Sequence, residues 1–243
     1  MSEITGSPGA AAESMDARVF KVCGLSETEL SELLAPVDLG QNAGFSIIDR
    51  YPDLTLRLVV QKGDEEKLSR LGEQVRATLG YRVYAEGERT LEEVVGELLL
   101  ARRMTLALAE SCTGGYISHR VTRVAGSSAY YYGGAVTYSN EAKILFLGVK
   151  PETLQRHGAV SRETALEMSQ GIRARTGVSI GLSVTGVAGP SGGSAEKPVG
   201  TVWISIEREA YHEARRFQFH GERERIILGT SQTALDWLRR CLL

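Results

Sequence analysis

Three apolar runs of this chain each end in a short cluster of hydroxyl, amide and glycine residues, and helical patterns separate them. The clusters occupy residues 109–115 (AESCTGG), 138–143 (YSNEAK) and 185–193 (TGVAGPSGG). In open α/β sheets, ligands bind beyond the carboxyl ends of the strands, so clusters far apart in sequence meet at one edge. The pattern predicts an α/β fold, namely a three-layer α/β/α sandwich with a mixed sheet.

The elements of this sandwich follow from hydrophobic periodicity and capping residues. Thr90 opens the first helix, with Glu93 at the reciprocal capping position. The sheet is expected to be mixed because the last two strands follow one another directly. The predicted strands are 104–109, 134–138, 178–184, 199–206 and 211–219, and the later helices are 113–123, 140–147, 151–156, 162–175 and 223–240.

Residues 17–85 have a different pattern, which predicts a small α+β domain in front of the sandwich at residues 90–243. The elements run in the order βαββαβ, and residues 86–89 form the predicted linker. Residues 1–16 contain little to bury, and we expect a disordered tail. The predicted elements of the small domain are Val19–Cys23, Glu27–Leu34, Gly44–Ile48, Leu54–Val60, Glu65–Leu79 and Tyr81–Tyr84.

Charge and composition exclude several function classes. A formal net charge of -2 provides no basic field of the kind that binds nucleic acid. No apolar run approaches the roughly 20 residues of a membrane span, and no signal pattern is present, so we expect a cytoplasmic protein without a membrane partner. Cys23, Cys112 and Cys241 lack paired metal spacing, and we expect neither a disulfide nor a metal.

The three clusters occur in one order with three further motifs: Gly126-Ser127-Ser128, residues 157–161 (HGAVS) and residues 197–202 (KPVGTV). With them, residues 90–238 resemble the carboxy-terminal domain of CinA-type proteins, the nicotinamide mononucleotide deamidases. The resemblance implies an amidohydrolase that converts nicotinamide mononucleotide to nicotinate mononucleotide and ammonia without a cofactor. The family's catalytic serine, tyrosine and lysine correspond to Ser111, Tyr138 and Lys143.

Residues 17–85 are similar, more weakly, to the KH-like middle domain of long CinA-type proteins. KH domains clamp nucleic acid with a GXXG loop, and this segment has no such loop with basic neighbours. Asp64, Glu65 and Glu66 place negative charge where a phosphate needs cations. We therefore expect no nucleic-acid partner, and a structural or oligomerisation role for this segment in a homo-oligomer.

The residue types in the clusters suit amide hydrolysis, which needs a nucleophile, a proton carrier and donors for the oxyanion. Ser111 lies between a strand and a Gly-Gly helix start, where a nucleophile is accessible. Lys143 acts as a base only when neutral, and a place in the first turn after Ser139 or Asn140 as cap lowers its pKa. Tyr138 then ends the strand and relays a proton.

Glycines and one arginine are the predicted substrate contacts, because glycine-rich turns let a ligand approach backbone N–H groups. The family's substrate-binding arginine corresponds to Arg223, in a run where Glu222 replaces an aspartate and Ile227 a second arginine; Arg225 is the alternative. The predicted contacts are Thr113, Gly114, Gly115, Asn140, Thr185, Gly186, Gly189 and Arg223.

The residues alone leave other interpretations open. Cys112 is the competing nucleophile, and Tyr138 and Lys143 are also compatible with an ordinary strand aromatic and a solvated helix charge. The prediction of a neutral lysine requires Glu141 to point away from Lys143. A nucleotide-sensing or partner-binding module of the same fold is the alternative to an enzyme. A short-chain dehydrogenase is excluded, since its glycine fingerprint and four-residue spacing are absent.

Overall fold

The computed structural model describes residues 15–243 of the chain. Contacts between residues divide it into one unit up to Thr90 and a second unit from Leu91. The tail predicted for residues 1–16 lies outside the described residues except for its last two residues, which already belong to the first strand.

The first unit has the predicted element order βαββαβ. Its elements are β1 (Met15–Val22), α1 (Glu27–Leu34), β2 (Ala43–Arg50), β3 (Asp53–Gln61), α2 (Glu65–Leu79) and β4 (Val83–Glu86). The sheet is antiparallel throughout, in the order β2-β3-β1-β4, which is the split βαβ arrangement of ferredoxin-like sandwiches. The small α+β class is confirmed, and the KH-like label stays a prediction.

The strand boundaries predicted for this unit were wrong by one to four residues, whereas α1 and α2 begin and end as predicted. β1 begins four residues before the predicted Val19, and β2 and β3 are each longer than predicted. β4 begins two residues after the predicted Tyr81, because Gly80 (φ 55°) ends α2 and leads into a 3₁₀ turn at Gly80–Arg82. Glu86 belongs to β4 and forms a 2.8 Å ion pair with Arg18, so the predicted linker starts one residue too early.

The second unit is built around a five-stranded sheet. Its strands are β5 (Leu106–Glu110), β6 (Tyr131–Val136), β7 (Ile180–Gly186), β8 (Thr201–Arg208) and β9 (Tyr211–Gln218). Its helices are α3 (Leu91–Ala101), α4 (Tyr116–Thr122), α5 (Asn140–Ala142), α6 (Pro151–His157), α7 (Arg162–Thr176) and α8 (Arg223–Cys241), and short turns occupy Ser127–Ala129 and Lys143–Leu147. α7 covers one face of the sheet, and α4 and α8, joined by α3, cover the other.

The sheet is mixed, and the predicted three-layer α/β/α class is confirmed. The strand order is β6-β5-β7-β8-β9; β5 pairs in parallel with β6 and β7, whereas β8 is antiparallel to β7 and β9. Helices on both faces bury every residue of β5 and all but the last residue of β7. The three parallel strands end at the same edge, which brings the three sequence clusters close together.

The predicted helix 140–147 is not regular along its length. The Ser139 hydroxyl accepts a hydrogen bond from the Ala142 backbone N–H (3.1 Å) and caps α5. After this single turn, the chain widens into a π-helical turn at Lys143–Leu147, which Gly148 ends at φ 72°. Such turns are rare and are found often at functional sites.

Candidate active site

The three clusters are connected by side-chain hydrogen bonds at the carboxyl end of the parallel strands. Lys143 of the second cluster reaches Ser111 of the first. Arg223, the first residue of α8, contacts Tyr138 of the second cluster and Gly189 of the third. The shared edge predicted from the sequence is therefore present.

Ser111 and Lys143 form a buried pair. Lys143 Nζ lies 3.1 Å from Ser111 Oγ and donates a 2.7 Å hydrogen bond to the backbone carbonyl of Thr137. Only 1% of Lys143 and 8% of Ser111 are exposed. When the amine is neutral and one of its N–H groups is on the Thr137 carbonyl, its lone pair is available for the serine proton. The geometry suits a serine activated by a neutral lysine.

Burial lowers the pKa of Lys143 below its usual value of 10.5, because desolvation penalises the ammonium form. The nearest acid in sequence, Glu141, is exposed. Hydrogen bonds from its own backbone N–H and from Ser139 hold the pKa of the Glu141 carboxyl below its usual range. Glu141 therefore makes its contacts at the start of α5 and not with Lys143. A neutral lysine requires Glu141 to point away from it, and this requirement is met.

The π-helical turn holds Lys143 against the body of the unit. Lys143 and Leu147 are buried at its two ends. A Cβ added to Gly171 of α7 would lie 1.9 Å from the Leu147 carbonyl oxygen, so only glycine permits this approach of helix and turn. The lysine is thus attached to a segment that packs directly on α7.

Glu110, to which the sequence analysis assigned no role, holds the turn that follows Ser111. Its carboxylate is 1% exposed and accepts hydrogen bonds from the hydroxyls of Thr113 (2.7 Å) and Ser118 (2.6 Å) and from the backbone N–H groups of Gly115, Ile117 and Ser118 (3.1, 3.0 and 2.8 Å). These N–H groups at the helix start are therefore occupied within the fold. The sequence feature that could have indicated this role of Glu110 is an acidic residue placed directly before the start of a helix.

Cys112, the competing nucleophile, is buried beside the pair. Burial raises the pKa of the Cys112 thiol to about 12, so it carries negligible thiolate near neutral pH. The backbone N–H groups of this turn are a separate feature of the site. Among the described residues, neither Cys112 nor Thr113 donates its backbone N–H to another residue. These two N–H groups directly follow the Ser111 hydroxyl along the chain.

Tyr138 lies two residues beyond the end of β6, and its side chain is exposed. Its hydroxyl accepts a 2.8 Å hydrogen bond from Arg223 Nη2, while Arg223 Nη1 donates to the Gly189 carbonyl (2.8 Å). The structure does not bring the Tyr138 hydroxyl into hydrogen-bond contact with Ser111 or Lys143. Tyr138 instead fixes the orientation of Arg223.

A cleft of about 1130 Å³ opens beside the first cluster and the start of α8. Much of its wall is apolar, formed by Tyr116, Val199, Ile227 and Leu228. Five of the eight predicted substrate contacts line it, namely Thr113, Gly114, Gly115, Gly189 and Arg223.

The other three predicted contacts lie outside the lining. The Thr185 hydroxyl donates to the Ala159 carbonyl (2.7 Å), and Asn140 is exposed at the start of α5. A Cβ on Gly186 would lie 2.6 Å from Val202 Cγ2, so this glycine permits close packing of β7 against β8.

Arg225, the alternative to Arg223, also lies outside the lining, and its side chain covers Gly221: a Cβ at Gly221 would lie 2.7 Å from Arg225 Cδ.

Among residues 15–243, no group of three or more His, Cys, Asp or Glu side chains is arranged to hold a metal ion. None of the helices in the same residues is both long and apolar enough to cross a bilayer.

Residues 88–242 match the model of the CinA C-terminal domain. The chain belongs to this family. It is 46% identical over 233 residues to a CinA-like protein of Geotalea daltonii, and 44% identical over 238 residues to a putative competence-damage inducible protein of Moorella thermoacetica. These alignments cover 93% and 96% of this chain but 56% and 58% of the relatives. The chain thus spans a little over half the length of these curated relatives.

Solved structures of the family match the second unit. A CinA superfamily protein of Klebsiella pneumoniae aligns with a TM-score of 0.61 and 37% identity, covering 63% of this chain and 98% of its own. The competence/damage inducible protein CihA of Agrobacterium tumefaciens aligns with a TM-score of 0.59 and 40% identity, covering 63% and 96%. In these relatives the CinA-type fold makes up nearly the whole crystallised chain.

Proposed function

We propose that this CinA-family protein is a metal-free amidohydrolase that converts nicotinamide mononucleotide to nicotinate mononucleotide and ammonia. The observation that carries the proposal is the buried contact between Lys143 Nζ and Ser111 Oγ at 3.1 Å, next to a cleft with glycine backbone in its wall. A buried lysine without a carboxylate partner contributes little to stability, and its favoured neutral form suits a general base.

The first chemical step uses the lone pair of Lys143. Neutral Lys143 takes the Ser111 proton as Ser111 Oγ attacks the carboxamide carbon, and a tetrahedral oxyanion forms. The N–H groups of Cys112 and Thr113 stabilise this oxyanion, as donors next to a nucleophile do in other acyl-transfer sites. The Lys143 ammonium then returns the proton to the leaving nitrogen, and ammonia departs.

The second step hydrolyses the ester on Ser111. Lys143, neutral again, takes a proton from water as the water oxygen attacks the acyl carbon. Collapse of this intermediate breaks the bond to Ser111 Oγ and returns the proton to the serine. The balance is one carboxamide and one water consumed, and one carboxylic acid and one ammonia formed.

The wall of the cleft at the start of α8 recognises the nucleotide. Arg223 supplies a guanidinium there, and the first N–H groups of α8 lie in the same wall without a side-chain cap from Glu222. Cation and helix start together suit a phosphate. Tyr138 contributes by holding Arg223 in place, which assigns it to substrate positioning.

The test measures ammonia release from nicotinamide mononucleotide, nicotinamide riboside and nicotinamide, before and after exhaustive chelation. The expected result is turnover of the mononucleotide that chelation leaves unchanged. Activity that is lost on chelation and restored by Zn²⁺ or Mg²⁺ would contradict the metal-free mechanism. Binding of the mononucleotide without turnover would instead support the non-catalytic, nucleotide-sensing alternative.

A further inference from the structure

Tyr116 places an aromatic ring in the wall of the cleft, close in the chain to Ser111. It is the first residue of α4, it is half-buried, and it lines the cleft together with His119, three residues further along the helix. The centroids of the two rings lie 6.1 Å apart, and the rings are tilted by 34°. They form one aromatic face, to which neither the acyl-transfer steps nor the phosphate contact assigns a role.

Two overlapping turns bring Tyr116 back towards Ser111. The Gly114 N–H donates to the Ser111 carbonyl (3.1 Å). The Tyr116 N–H donates to the Thr113 carbonyl (3.0 Å). Such a turn keeps its first and last Cα atoms within about 7 Å of each other. A Cβ on Gly114 would meet no atom within 4 Å, so open space lies between the serine and the tyrosine. A flat ring with its carboxamide at Ser111 has room to lie against the aromatic face.

The ring of the proposed substrate carries a positive charge. In nicotinamide mononucleotide the ring nitrogen is bonded to ribose, which makes the ring a quaternary pyridinium cation. Free nicotinamide and the reduced mononucleotide have neutral rings instead. An aromatic face attracts a cation through its quadrupole, and aromatic side chains bind quaternary ammonium ligands in this way. A cation that leaves water for an apolar wall without such a partner loses its hydration without compensation.

The charges in the cleft wall leave the aromatic face available to a cation. Among the described residues that line the cleft, Arg223 is the only lysine or arginine, and the proposed phosphate contact uses it. The two acids of the lining, Glu222 and Glu224, lie beside Arg223 and are exposed. Solvent screens exposed carboxylates, so their attraction for a cation is weaker than that of a ring in direct contact with it.

We propose that Tyr116 is a specificity-determining residue whose ring recognises the positive charge of the pyridinium, so that the cleft selects cationic over neutral pyridine carboxamides. His119 extends the same aromatic face along α4. The inference rests on the proposed function, because that function places the carboxamide at Ser111. Its test measures binding and not turnover, so the failure of one is distinguishable from the failure of the other.

The experiment compares nicotinamide mononucleotide with its reduced form, which keeps the carboxamide, ribose and phosphate but has a neutral dihydropyridine ring. Calorimetry gives the Kd of each ligand in a Ser111→Ala background, in which the carboxamide stays intact. We expect the cationic form to bind more tightly than the neutral form. Tyr116→Leu should reduce this ratio of Kd values by about 3- to 30-fold, the range of a cation–π contact. Apolar contact with the ring affects both ligands and cancels in the ratio.

Two further variants in the same background are the controls. Tyr116→Phe keeps the aromatic face and should keep the ratio. Tyr81→Leu removes an exposed tyrosine (53%) of the first unit and should leave both Kd values unchanged. Circular dichroism checks that each protein is folded.

The ratio in the Ser111→Ala background is a test in itself and depends on no substitution at position 116. Equal binding of the two forms, or binding of neither, would overturn the proposal. A folded Tyr116→Leu variant that keeps the ratio would also overturn it and would assign the selectivity to Glu222 and Glu224. Selective binding by a chain whose native form releases no ammonia would support the inference and contradict the proposed function. Ammonia release without selectivity would do the reverse.

Discussion

At the scale of single residues, the environment of Lys143 decides what the site can do. The side chain is nearly inaccessible to water, its pKa is lowered by desolvation, and its two hydrogen-bond partners are a hydroxyl and a carbonyl. Neither partner stabilises an ammonium as a carboxylate would. The neutral amine is therefore favoured more than on a surface lysine, and Ser111 is the group in contact with it.

The pH dependence of kcat/KM tests whether Lys143 acts as a neutral base. The neutral fraction of Lys143 grows as pH rises through its lowered pKa, so kcat/KM is expected to rise with pH below 10.5 and then level off. Lys143→Arg keeps the charge but does not deprotonate, so it should lose about 10²–10⁴ in kcat/KM, nearly as much as Lys143→Ala, and the rise should vanish. An arginine variant of parental activity would show that position 143 supplies positive charge for binding.

Alanine substitutions at the neighbouring residues 111 and 112 form a matched pair that tests which of the two is the nucleophile. Ser111→Ala should lower kcat for nicotinamide mononucleotide by at least about 10³-fold while binding persists, since the hydroxyl enters the chemistry itself. Cys112→Ala should change kcat only a few-fold, because the thiol is buried and protonated. Steady-state kinetics and calorimetric binding with both variants are the measurements. The reverse pattern of losses would assign the nucleophile to Cys112.

Strand ends and capping rules predicted that Ser111 and Lys143 share one edge of the sheet, and the resemblance named them as catalytic residues. The expected arrangement had Tyr138 as a proton relay, whereas the structure has Lys143 in direct contact with Ser111. The sequence did not predict the contact of Tyr138 with Arg223. That contact joins two segments 85 residues apart, and no local pattern encodes which hydroxyl a guanidinium selects. It also missed Glu110, since an acid at the end of an apolar strand has the same local pattern whether it is exposed or, as here, buried beneath a helix start.

At the scale of elements, the junction between β5 and α4 is organised by one carboxylate. Glu110 ends the strand and accepts hydrogen bonds from the first turns of the helix, which fixes the direction in which the chain passes Ser111. A helix start with its N–H groups satisfied by an internal acid is stable without a ligand. The N–H groups of Cys112 and Thr113, which we propose as the oxyanion donors, are not among the groups that bind Glu110.

Glu110→Gln tests the role of this junction. An amide presents two donors where the carboxylate only accepted, so the free energy of unfolding should fall by about 2–4 kcal/mol, and kcat should fall because Ser111 loses its support. Both tryptophans of the chain, Trp203 and Trp237, lie in the second unit, so their fluorescence in urea reports on that unit. Glu209→Gln, an exposed acid, should stay within about 0.5 kcal/mol of the parent. Equal stability of both variants would contradict the assigned role.

Predictions of element boundaries succeeded where a side chain caps the end. α1 and α2 begin as predicted because Ser26 and Asp64 accept hydrogen bonds from the first-turn N–H groups. The π-helical turn at Lys143–Leu147 was not predictable in this way, since the contact that it makes is with Gly171 on a different helix, α7. Local signals determine element starts, whereas tertiary packing determines departures from regular geometry.

At the scale of the whole molecule, every residue of the proposed chemistry lies in the second unit. The sandwich that forms it corresponds to almost the entire crystallised chain of the Klebsiella and Agrobacterium relatives. The first unit contributes neither to the cleft lining nor to the Ser111 and Lys143 pair.

A fragment that begins at Glu88, where the family match starts, separates the contributions of the two units. Because 98% and 96% of two crystallised relatives align with 63% of this chain, the fragment 88–243 should fold with a tryptophan unfolding midpoint close to that of the full chain, and its kcat/KM should lie within a few-fold. An inactive but folded fragment would show that the first unit is needed for the chemistry.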